Sequence, residues 1–165
     1  MRRAIATVVP LGAVILLILA VSAWATPSAS KHGGGGGHHG KGRTIAVIEH
    51  ATTDTTTDTG AAGDTVGDIL TFANEVFDAA DATKVGTDNG YCLRTVIGDG
   101  AAYECHWTTF LAGGQITVDG PFFDAKGSTL AITGGTGRYR GAKGEMELES
   151  LENGAKFRFT FHINR

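Results

Sequence analysis

The chain has 165 residues, 42% hydrophobic and 19% charged, and a formal net charge of −3 at pH 7. That length suits one modest domain. The acidic balance argues against nucleic acid or an anionic membrane as a partner, since either would repel it.

Residues 1–25 do not read as part of that domain. Arg2 and Arg3 give a positive start, an apolar run follows from Ala4 to Ala25, and Ala23-Trp24-Ala25 supplies a small-x-small cleavage site ahead of Thr26-Pro27-Ser28. This is the layout of a secretory signal peptide, so the protein is expected to be secreted. The run is long for such a segment, and an uncleaved membrane anchor is the alternative. No second run is long and apolar enough to span a membrane. Residues 26–43 (TPSASKHGGGGGHHGKGR) have no side chain able to build a core and read as a disordered linker. His32, His38 and His39 lie in it, but chelation by a glycine-rich tether would cost ordering entropy, so a solvated linker is the reading adopted.

Residues 44–165 form the predicted domain. Thr44–His50 (TIAVIEH) is a β-branched strand. Residues 51–63 are a loop dense in Thr and Asp. Its Asp54, Asp58 and Gly60 lack the alternating oxygens and distal Glu of a calcium loop, which leaves side-chain-capped turns. Asp68–Asp78 is a strand or a short helix. Strands follow at Val85–Ile97, Ala101–Leu111, Gln115–Phe122, Ser128–Thr133, Glu145–Leu151 and Lys156–Asn164. The last alternates without a fault, with Phe157, Phe159, Phe161 and Ile163 on one face. Eight short strands with Gly-rich turns and no long amphipathic helix point to an all-β domain, an antiparallel barrel or a sandwich.

Two cysteines, Cys92 and Cys105, suit an exported chain. A two-residue turn at Gly98-Asp99 would pair Ile97 with Gly100, Val96 with Ala101 and Thr95 with Ala102, and would set Cys92 opposite Cys105. Directly opposed residues lie within disulfide reach, so a cross-strand disulfide is expected. A metal site would need more ligands nearby than His106, and none is expected.

The stretch Ala131–Met146 (AITGGTGRYRGAKGEM) raises the question of a phosphate-binding loop. A dinucleotide fingerprint needs a third glycine where Arg140 stands, no register supplies a P-loop, and the period-two EMELE run does not open a helix. No cofactor is therefore expected. Glycines that permit positive φ and close approach fit a strand-to-strand corner.

Gly134–Gly144 (GGTGRYRGAKG) resembles the signature of the allene oxide cyclase and dirigent barrel superfamily, closest to its secreted actinobacterial dirigent-like members. FANEVFDAADATKVGTDNGYC and CHWTTFLAGGQITVDG extend the resemblance over roughly Thr44 to the C-terminus. The resemblance implies an eight-stranded antiparallel barrel with an apolar, ligand-sized cavity. It implies a small apolar or phenolic ligand, whose cyclisation or coupling the barrel steers by proximity and orientation. An isomerase or cyclase, and a non-catalytic cell-envelope barrel, are the alternatives on the same fold. It also implies trimers, and a separate oxidase if radicals are coupled.

Arg140 matches the basic residue that lies near the cavity in dirigent proteins and is a catalytic candidate. Glu49, on one strand face with Ile45 and Val47, is the other, because a buried carboxylate with a raised pKa can act as acid or base. Asp68, Tyr91, His106 and Tyr139 are candidates for ligand binding.

Overall fold

The computed structural model describes residues 42–164. The expected signal segment, and the tether with His32, His38 and His39, lie outside the described residues. Nine strands follow in chain order: β1 (Arg43–His50), β2 (Thr55–Thr57), β3 (Ile69–Asp78), β4 (Lys84–Val96), β5 (Ala102–Leu111), β6 (Gly114–Phe123), β7 (Ser128–Gly135), β8 (Lys143–Leu151) and β9 (Lys156–Asn164). The first begins at Arg43, one residue ahead of the boundary drawn from composition. Among the described residues no helix is long and apolar enough to cross a membrane.

The sheet runs β1-β9-β8-β7-β6-β5-β4-β3, every pairing is antiparallel, and β1 pairs back onto β3. This is a closed eight-stranded barrel. The ambiguous Asp68–Asp78 segment is strand β3, because alternation buries Asn74 and Val76 while Ala73 and Glu75 face solvent. β3 shares its free edge: Glu75–Asp78 closes onto β1, and Ile69–Thr71 is taken by β2, a three-residue strand inside the Thr/Asp loop. Nothing in the TTT triplet of β2 marked it as a strand, and all three side chains are exposed.

Inward phases build the core. Phe159 and Phe161 of β9 are buried with Trp107, Ile116, Val118, Leu130 and Met146, while Lys156, Arg158, Thr160 and His162 of β9 face outward. Gly90 makes room for the largest of these. A Cβ at Gly90 would run into the Trp107 side chain and Phe72.

Cys92 and Cys105 are paired across β4 and β5 and form a disulfide on the inner face. The turn itself differs from expectation. A bulge at Thr95 sets Val96 opposite Ala102, so the pairs Ile97–Gly100, Val96–Ala101 and Thr95–Ala102 do not form. Gly98 and Gly100, at φ of +75° and +77°, make a longer loop, and the bulge absorbs the extra residue. Reducing the disulfide is expected to lower stability by about 3 kcal/mol, the chain-entropy value for a loop of this size. Urea unfolding with and without reductant checks it; coincident curves would contradict it.

The glycine-rich stretch is a corner. β7 ends at Gly135, a 3-10 turn spans Gly137–Tyr139, and β8 starts at Lys143. The N–H groups of Thr136, Arg138, Tyr139, Arg140 and Ala142 donate to backbone carbonyls, so these five are spent within the corner. Gly137, at φ +56°, presses against the Gly113 carbonyl and admits no side chain.

Candidate functional site

Asn74, Asp88 and Thr109 are register partners across β3, β4 and β5, and all three point inward. They place a polar rung in an otherwise apolar barrel. Glu49 reaches the same rung from β1, which meets β3 at the closure, and is 4% exposed. Asn74 joins the set. Its Nδ2 donates to Glu49 Oε1 at 2.8 Å and to Asp54 Oδ1 at 2.7 Å. Its Oδ1 accepts the N–H groups of Thr52 (3.1 Å) and Thr53 (3.0 Å) and the Thr53 hydroxyl (2.9 Å). Three donors fix which end of the amide faces the carboxylates.

Burial raises the Glu49 carboxyl to about 7, against the pull of the Asn74 hydrogen bond. Burial, with the Glu49 charge next, raises Asp88 to about 9. Neither Asp88 oxygen meets an N–H or O–H donor in hydrogen-bond geometry, although the Asn74 backbone N–H is near enough to draw its pKa down slightly. Two adjoining buried carboxyls do not ionise together, so they titrate as a pair and keep a proton well above the usual carboxylate range. Asp88, without a donor of its own and the more strongly raised of the two, keeps the proton, while the Glu49 carboxylate accepts from Asn74. Such a pair can take a proton at one oxygen and give one at another. Thr109 Oγ1 and Trp107 Nε1 are also buried without a partner.

Above this floor is a cavity of about 40 Å³ whose walls include Phe72, Trp107, Phe122, Phe157, Phe159 and the disulfide. Its charged lining residues are Glu49 and Asp54, and no Lys, Arg or His lines it. A volume of this size holds a few waters. Anything larger would have to displace side chains, and Leu70, Phe72 and Phe122 are the half-buried apolar ones. At the rim, the buried Arg94 guanidinium holds Asp64 at 2.7 Å and both oxygens of Asp124 at 2.8 and 2.9 Å, and lies 3.8 Å over the Tyr103 ring. Arg94 thereby ties the Thr/Asp loop, which contributes Asp54, to the β6–β7 turn.

Of the residues singled out from sequence, Glu49 lines this cavity. Asp68 is buried but caps the loop, accepting the N–H groups of Thr59 (3.1 Å) and Thr65 (2.7 Å) and the Thr65 hydroxyl (3.0 Å). Those bonds hold its pKa below the usual value. Tyr91 and His106 lie side by side outside the barrel, their rings tilted by 36°, because their neighbours Cys92 and Cys105 take the inner phase; His106 Nδ1 is 2.6 Å from Asp119. Arg140 is exposed at the corner between β7 and β8 and lines no part of this cavity. Tyr139 is buried at that same corner, away from the carboxyl pair, with Arg43 over its ring. Sequence reasoning missed Asn74, Asp88 and Thr109. The available signal was a polar residue at an inward phase, Asn74 between Phe72 and Val76, and Asp88 two positions before Gly90.

The chain belongs to the allene oxide cyclase barrel like domain family, whose model matches residues 48–163. Among solved structures it is similar to a pyocyanin demethylase, at 28% identity and a TM-score of 0.64, over 73% of this chain and 99% of that one. An exo-specific intermolecular Diels-Alderase matches at 17% identity and a TM-score of 0.62, over 76% and 100% of the two chains. A pterocarpan synthase dirigent protein matches at 13% identity and a TM-score of 0.65, over 76% and 88%. The last two resemblances are of fold.

Proposed function

We propose that the barrel binds a small, largely apolar aromatic molecule, phenols included, and rearranges it by moving a proton through Glu49 and Asp88. The observation that carries this reading is Glu49 in the wall of an aromatic-lined cavity, backed by the buried carboxyl of Asp88 with which it titrates as a pair. Glu49 takes and returns the proton at the substrate, Asp88 behind it holds the proton the pair shares, and the rings hold the substrate in one orientation against Glu49. Isomerisation or cyclisation is the reaction class, since both need a proton removed at one atom and returned at another. The solved relatives, a demethylase, a cycloaddition enzyme and a dirigent protein, all act on organic molecules by their names. With carboxylates as its charged lining, the cavity favours neutral or cationic ligands over anions. Coupling of phenolic radicals would need a separate oxidase, whereas proton transfer needs none. The inner disulfide suits the export expected from the N-terminal segment.

The cavity volume favours a second reading, a barrel that binds nothing larger than water and serves the cell envelope without catalysis. One experiment separates the two. The chain has two tryptophans, and Trp24→Phe leaves Trp107, in the cavity wall, as the only one. Titration with phenols, neutral aromatic heterocycles and their N-methylated cations is expected to quench its emission saturably at micromolar ligand. Silence by fluorescence and by calorimetry across that set would favour the filled barrel.

A further inference from the structure

β1 closes onto β3 through Val47–His50. Its first half, Arg43–Ala46, pairs with β9 on one edge. Among the described residues the other edge meets no strand, because β3 ends at Asp78 and turns away toward Lys84. The barrel wall is therefore notched at the end opposite the carboxyl pair. The notch is a cleft of about 250 Å³, far roomier than the cavity at the mouth. Its apolar side is Ile45, Val47, Val85 and Leu111, and its cationic side is Arg43 and Arg138 beside Tyr139. The Arg43 guanidinium is exposed, lies 5.7 Å from the Tyr139 ring centroid and forms no salt bridge with the acidic side chains of the described residues. One carboxylate lines the cleft, Asp78, and it already accepts the Ala82 N–H at 2.9 Å as the cap of its turn.

We propose that this notch is a second small-molecule site, selective for an organic anion with a flat apolar body. A carboxylate or sulfonate would meet the planar guanidinium of Arg43 edge-on. The apolar body would cover Ile45, Val85 and Leu111, removing from water Val85, which is 37% exposed for a hydrophobic side chain. The β1 edge that meets no strand among the described residues offers backbone N–H and C=O groups to a polar substituent. The two ends of the barrel then select opposite charges: carboxylates line the mouth, and guanidinium groups line the notch. Tyr139, expected from sequence to touch a ligand, does so here and not at the mouth.

Calorimetric titration of the full chain with naphthalene-2-sulfonate tests the proposal. One saturable site is expected. The uncharged analogue 2-naphthalenemethanol is expected to bind at least tenfold more weakly. Val85→Glu and Arg43→Glu, both at exposed positions, are each expected to weaken the sulfonate at least tenfold with thermal unfolding unchanged, while Glu49→Gln leaves its affinity within twofold. No saturable heat, or binding that survives both notch substitutions, would overturn the site. So would a tenfold response to Glu49→Gln, which would put the anion at the mouth. None of these results bears on whether the mouth binds a neutral or cationic aromatic.

Discussion

Glu49→Gln is expected to stabilise the protein at alkaline pH and to lower turnover of any substrate the mouth accepts by about 10²–10⁴-fold, the usual worth of a general base. The stability effect follows from the raised pKa. Folding lifts the Glu49 carboxyl from 4.5 to about 7, so between those values the folded chain keeps a proton that the unfolded chain has released. Stability from this group is intact at low pH, falls as the pH climbs through that window, and above it is lower by about 3 kcal/mol. Asp88, raised to about 9, carries the decline further up the pH scale. The amide that replaces the carboxyl in this variant has no such proton to lose, and its oxygen can still accept from Asn74. Urea unfolding at several pH values checks this: the wild-type midpoint falls with rising pH, and the variant's falls less. Parallel curves would mean that Glu49 titrates normally. The same substitution tests the chemistry, because a merely structural Glu49 would leave turnover intact.

Asn74→Ala is expected to cost about 3 kcal/mol and to move the acid limb of the pH–rate profile upward. The cost arises because the buried Glu49 carboxylate loses its amide donor, and three donors from Thr52 and Thr53 lose their acceptor. The pH shift has a separate cause. The Asn74 bond stabilises ionised Glu49, so removing it raises the carboxyl further and delays formation of the base. Amide exchange at Thr52 and Thr53 reports release of the loop, and a pH–rate profile reports the carboxyl. Faster exchange with an unmoved profile would make Asn74 a loop anchor alone. Both changes together make it the residue that positions the base.

Much of the barrel is legible in the chain because its information is local. Alternation in KFRFTFHIN declares the inner face of β9 without any partner strand. Equal spacing about a turn set Cys92 against Cys105, and that pairing survives a bulge that the turn residues did not announce. The glycine-rich corner was separable from a phosphate loop by the strand-like run that follows it. The family resemblance carried the count and closure of the strands.

The site is different, because alternation says which residues share a face but not which face is inside or what lies across the closure. Once Cys92 and Cys105 are inside, Tyr91 and His106 must be outside, and Leu70, Phe72, Asn74 and Asp88 turn inward together. Asn74 and Glu49, separated by 25 residues, meet only because β1 joins β3 in one particular register. Arg140 ends far from the carboxyl pair for the same reason: its corner closes one end of the barrel, and the register places Glu49 toward the other. The sequence by itself determined an all-β domain, most of its strands, its disulfide and its glycine corner. Only the tertiary structure decided that three polar side chains from three strands meet at one buried site, since a buried carboxyl pair is a property of the register that joins distant strands and of the burial that follows.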